Sequence, residues 1–136
     1  TQVQADKRKN TFTANIATAY PAEAEVESWI RSYSLQKGQL RISDSFRLTT
    51  AKQHNQINFM TWGQVNTEIP GKIQLEVKGK KAFIEYDKQL FDVKTETIPL
   101  TDPRLSNVWG KSIYRITLTA TNIYKTGNYS FIIKKQ

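Results

Sequence analysis

The 136 residues contain no cysteine, so no disulfide staples the fold and no thiolate can serve as nucleophile or metal ligand. Histidine is almost as scarce. His54 stands alone in the polar stretch TTAKQHNQ, which excludes a Cys–His dyad and any multi-histidine zinc site. No metal or cofactor is expected. Six Gly and four Pro are too few for a collagen-like or linker-like chain. Apolar runs are only a few residues long, so no helix is expected to span a bilayer. The sequence has no nucleophile-elbow, Walker or dinucleotide-binding glycine motif.

What is abundant is positive charge. Twenty Lys and Arg against twelve Asp and Glu give a formal net charge of +8. Such a field attracts nucleic acid, anionic membrane or acidic polysaccharide, and it does not choose among them. Three Trp, six Tyr and six Phe supply enough bulk for one folded core.

Residues 1–10 (TQVQADKRKN) are polar and aperiodic and read as an arm or linker, with residues 11–136 as a single domain. From Thr11 onward the period is two. Stretches 26–35, 39–48, 57–62, 72–78, 81–86, 91–98, 113–121 and 129–134 are rich in β-branched and aromatic residues, with turn signals between them. These predict an all-β fold, an antiparallel β-sandwich of about eight strands. AYPAEAEV, residues 19–26, predicts one short helix with Pro21 in its first turn.

Two hairpins allow the register to be worked out. A Lys37-Gly38 loop sets Leu35 against Leu40, Tyr33 against Ile42, Arg31 against Asp44 and Trp29 against Phe46. Asp44 occupies a position where the alternation calls for an apolar side chain, and the same register supplies Arg31 as its partner. A structural ion pair is therefore expected, because a catalytic carboxylate needs a second titratable group and a cleft nearby. A Gly79-Lys80 loop in turn sets Val77 against Ala82, Leu75 against Ile84 and Ile73 against Tyr86.

The remaining polar residues have ordinary explanations. Glu23, Glu25 and Glu27 suit a solvated surface, and Asp87, Asp92 and Asp102 suit turns. Asn128-Tyr129-Ser130 is a glycosylation sequon of a kind that arises often by chance. Lys78, Lys80 and Lys81 gather at one hairpin tip, where solubility charges commonly sit. The functional alternative is an anion-binding rim, with Trp62 or Tyr124 stacking on a sugar ring or base. The residue pattern offers no basic helix for a DNA groove and no aromatic signature of an RNA-recognition sheet.

Several motifs in order resemble a known family. Tyr20-Pro21, Glu23-Ala24, Trp29, Arg31, Leu35, Gly38 and Asp44-Ser45-Phe46 are followed by Gly71 and Ile84-Glu85-Tyr86-Asp87. Then come Glu96-Thr97-Ile98-Pro99-Leu100, Asp102-Pro103-Arg104-Leu105, Val108-Trp109-Gly110 and Tyr114-Arg115-Ile116. This order, over roughly Thr11 to Phe131, resembles the C-terminal β-sandwich region of heparinase II/III-like polysaccharide lyases. The resemblance implies a parent enzyme that cleaves uronate-containing glycans by β-elimination, using Tyr and His residues around a helical toroid domain. It implies periplasmic or secreted localisation. No catalytic motif of that family can be placed on this chain, and His54 lacks the matching context.

Three readings follow. The first is a non-catalytic C-terminal domain that supports the toroid of the same parent chain and holds acidic polysaccharide weakly through Trp62, Lys78, Lys80, Lys81 and Tyr124. It expects no nucleic-acid partner and no membrane. The second is a free-standing carbohydrate-binding or adhesive module. The third is a single-stranded nucleic-acid binder.

Overall fold

The computed structural model describes residues 3–136. Eleven strands form two antiparallel sheets. They are β1 (Val3–Asp6), β2 (Thr11–Asn15), β3 (Val26–Gln36), β4 (Gln39–Leu48), β5 (Gln56–Thr61), β6 (Gln64–Ile69), β7 (Lys72–Val77), β8 (Lys80–Glu85), β9 (Phe91–Pro99), β10 (Ser112–Ala120) and β11 (Thr126–Lys135). The larger sheet runs β1-β2-β3-β4-β11-β8-β7-β6 and the smaller β5-β10-β9.

Alternation along the strands sends Trp29, Ile42, Phe46, Tyr129, Phe131, Ile73 and Ile84 inward from the large sheet. Ile57, Phe91, Ile116, Leu118 and Ala120 meet them from the small one. The seam between the sheets is aromatic. Phe91 lies edge-on to Tyr129 at 4.7 Å, and Phe59 edge-on to Phe131 at 5.4 Å, both favourable geometries for ring pairs. No helix among the described residues is long and apolar enough to cross a membrane.

The first hairpin has the expected register: Leu35 faces Leu40, Tyr33 faces Ile42, Arg31 faces Asp44 and Trp29 faces Phe46. The second differs. Its loop is Lys78-Gly79, so Val77 faces Lys80, Leu75 faces Ala82 and Ile73 faces Ile84. The error is a slip of two residues, which leaves every side chain on its correct face and is therefore invisible to alternation. Turn chemistry decides it. Lys78 and Gly79 both have positive φ, 49° and 75°, just as Lys37 and Gly38 do at 49° and 73°. Both loops are type I′ turns, whose twist matches that of the paired strands.

Residues 19–26 do not form an α-helix. Two short 3₁₀ turns, Ala17–Ala19 and Ala22–Ala24, flank Tyr20 and Pro21, both extended. A proline pushes the residue before it out of the helical region, and that divides the segment. The α-helix of the fold, α1, lies at Pro103–Trp109 instead. Asp102 caps it by accepting from the Arg104 N–H at 2.9 Å, and Pro103 occupies the first turn. The arm also differs from its sequence reading, because Val3–Asp6 pairs with β2 as an edge strand. β1 and β6 are the two edges of the large sheet and are exposed along most of their length, so neither shows the alternation of a half-buried strand.

Candidate functional site

The loop from β5 to β6 passes so close to β7 that only glycine fits at position 63. A Cβ there would lie 2.4 Å from Val77 Cγ2 and 2.6 Å from the Glu76 carbonyl oxygen. The Thr61 hydroxyl tightens the turn by accepting from the Gly63 N–H at 3.1 Å. This close approach sets Trp62 beside the tip of the β7–β8 hairpin. There the Lys78 Nζ sits 5.7 Å from the indole centroid, within cation–π range. Trp62 remains 41% exposed, so the ring is still available to a ligand. A depression of about 330 Å³ lies between them, lined by Gly63, Gln64, Glu76, Val77 and Gly79.

Lys80 and Lys81 lie across the same hairpin, in a wider trough shared with Leu75, Ala82, Lys135 and Gln136. Lys81 faces Glu76 at 3.9 Å, while Lys78 and Lys80 make no ion pair among the described residues. The hairpin therefore brings four of the five sequence candidates to one corner. Tyr124 is elsewhere. It sits in the turn before β11, packs against the core and accepts from Asn122 Nδ2 at 3.2 Å. Lys135 closes the far end of that strand, so Tyr124 is separated from the basic corner by roughly 30 Å of extended chain.

At the other end of the sandwich, a cleft of about 420 Å³ holds His54 together with Tyr20, Glu23, Glu25, Lys52 and Asn55. His54 Nδ1 donates to the Ala120 carbonyl at 2.7 Å, which fixes the ring against β10. Glu25 is occupied by the Thr50 hydroxyl and by Lys52 Nζ at 3.1 Å. No carboxylate orients the imidazole, so the nucleophile–base–orienter chain of an acid–base site is missing there among the described residues. No cluster of three or more His, Cys, Asp or Glu side chains able to hold a metal ion occurs among them either.

Asp44 and Arg31 form a bidentate pair, Nε to Oδ1 and Nη2 to Oδ2, each at 2.7 Å. Hydrogen bonding to Asp44 raises the Arg31 pKa above its ordinary value. Tyr33 lies beside the guanidinium and adds to that shift, while the Asp44 side chain is fully buried.

Sequence reasoning missed an apolar groove on the outer side of the small sheet. Met60 and Ile113 form its floor, and Leu105 and Trp109 reach over from α1. Its signal was the Asp-Pro start of α1, read as a turn only. No protein-family model matches this chain, and no curated protein matches it.

Proposed function

We propose that this chain is a non-catalytic β-sandwich domain that holds an acidic polysaccharide weakly at the Trp62–Lys78 corner. In this reading it supports the helical toroid of a heparinase II/III-like lyase acting by β-elimination on uronate-containing glycans. The observation that carries the binding role is the Lys78 ammonium beside the exposed face of Trp62. A pyranose can lay its C–H face on the indole while its carboxylate meets Lys78 and the unpaired Lys80. The net charge of +8 favours the encounter.

The family assignment rests on the order of motifs from Tyr20 to Ile116, and a periplasmic or secreted location follows from it. Elimination needs a positioned base and a neutraliser for the uronate carboxylate. The proposal assigns both to the toroid. A free-standing carbohydrate-binding module is the alternative that the same corner supports.

The test is a titration with heparan sulfate, a polygalacturonate, a neutral glucan and single-stranded DNA, at low and physiological salt. The proposal expects selective acidic-glycan binding that survives physiological salt. Trp62→Ala should abolish it, and Lys78→Asn, which keeps a type I′ turn but removes the charge, should weaken it. Tighter binding to DNA, with a steep salt dependence, would favour the nucleic-acid reading. Unsaturated-uronate absorbance produced by the isolated chain, and retained on repurification, would refute the non-catalytic assignment.

A further inference from the structure

The apolar groove shares Trp62 with the basic corner but extends to α1, and it points to a protein partner that would compete with glycan there. It encloses about 290 Å³ between Met60, Trp62, Leu100, Leu105, Trp109 and Ile113. Met60, Leu105 and Trp109 are each about half exposed, and Val108, next to it on α1, is 70% exposed. A contiguous apolar surface of this kind marks an interaction site far more often than scattered surface residues do.

The charges around the groove select the occupant. The nearby carboxylates are paired within the chain, Glu76 beside Trp62 with Lys81 at 3.9 Å. Asp102 pairs with Arg104 at 2.7 Å, and Glu96 pairs with Arg115 across β9 and β10. Lys78 stands over Trp62, and Lys111 lies between the lining residues Trp109 and Ile113. Neither makes an ion pair among the described residues. The rim is thus left positive around an apolar floor.

We infer that this groove docks an acidic amphipathic helix of a partner protein, its apolar ridge seated between Trp62 and Trp109 and its flanking carboxylates on Lys78 and Lys111. A second copy of the chain fits poorly, because two facing grooves would oppose their lysines. A polysaccharide fits poorly too, because the one polar side chain in the lining is Thr61, whose hydroxyl already serves the Gly63 N–H. The groove offers side chains from the outer face of the small sheet, including its edge strand β5, and from α1. That geometry suits a helix ridge with anchors at i, i+3, i+4 and i+7.

The test uses two synthetic amphipathic peptides with the same leucine ridge, one flanked by glutamates and one by lysines. Tryptophan emission of the intact chain is the readout, since Trp29 is buried and a change reports Trp62 and Trp109. The glutamate peptide should bind saturably with a blue shift, at least tenfold tighter than the lysine peptide. Val108→Asp and Trp109→Ala should each weaken it at least tenfold. Val108 is 70% exposed, so Val108→Asp should leave the melting temperature unchanged and serves as the folding control. Absence of saturable binding, equal binding of the two peptides, or full binding by Val108→Asp would overturn the inference. So would groove-dependent binding to anionic vesicles without peptide binding, or self-association abolished by Val108→Asp.

Discussion

Arg31 grips Asp44 across β3 and β4 with two hydrogen bonds of 2.7 Å, and the carboxylate side chain is wholly removed from solvent. Arg31 keeps 23% of its side-chain surface, so the two partners differ in what each suffers alone. Arg31→Met strands a buried carboxylate and should cost about 3–5 kcal/mol, whereas Asp44→Asn should cost less because the guanidinium can turn toward water. The double substitution Arg31→Met, Asp44→Leu should recover most of the loss. Urea unfolding of the three variants measures this, and equal costs for the two single substitutions would refute the asymmetry.

Gly63 holds Trp62 in place. Gly63→Ala sets a Cβ against Val77 Cγ2 and the Glu76 carbonyl, so the β5–β6 loop must move. A cost of about 1–3 kcal/mol is expected, as for other overpacked sites. Acidic-glycan affinity should fall with it, while Gly79→Asn, where nothing lies within 4 Å, should leave the corner standing.

Lys37 adopts φ 49° in a type I′ turn that favours Asn-Gly. Lys37→Asn should therefore stabilise the chain by on the order of 0.5 kcal/mol, because asparagine enters the left-handed region at lower cost. Chemical denaturation would show a raised midpoint with an unchanged slope.

Burial raises the Tyr129 phenol pKa, against a smaller opposing effect of the Asn55 Nδ2 hydrogen bond at 3.0 Å. The folded state then holds this proton more tightly than the unfolded chain, so stability is full below about pH 10 and falls as pH rises beyond it. Tyr129→Phe should flatten that alkaline fall. An unchanged alkaline limb in pH-dependent melts would contradict the assignment.

The hydrogen bond from Arg104 holds the Asp102 carboxyl below its ordinary pKa. Its capping of α1 is present above the usual carboxylate range and should be lost only as the solution is acidified below about pH 4. Asp102→Ala should speed amide exchange at Arg104 through Ser106 at neutral pH. Because α1 carries two groove residues, the same substitution should weaken docking of the glutamate peptide.

The core of the fold was legible because period-two alternation follows directly from the pleat. The β3–β4 register followed from turn position and face, and with it the partner of Asp44. The edges were illegible for the same reason. β1 and β6 are exposed on most positions, and an exposed strand carries no alternating pattern. The corner was half legible: the lysines stood at a hairpin tip, but Tyr124 lay within the same sequence logic and on the wrong end of β11.

By itself, then, the sequence determined an all-β class, two of the hairpin pairings by face, and a basic surface without thiol or multi-histidine chemistry. Each is a local consequence of side-chain period or composition. Only the tertiary structure decided which eight strands share a sheet, that Trp62 meets Lys78, and that Met60 and Ile113 share a groove with Trp109. Those contacts join residues far apart in the chain. They depend on the right-handed twist of I′ turns, a glycine's clearance and the packing of two sheets, none of which leaves a periodic trace.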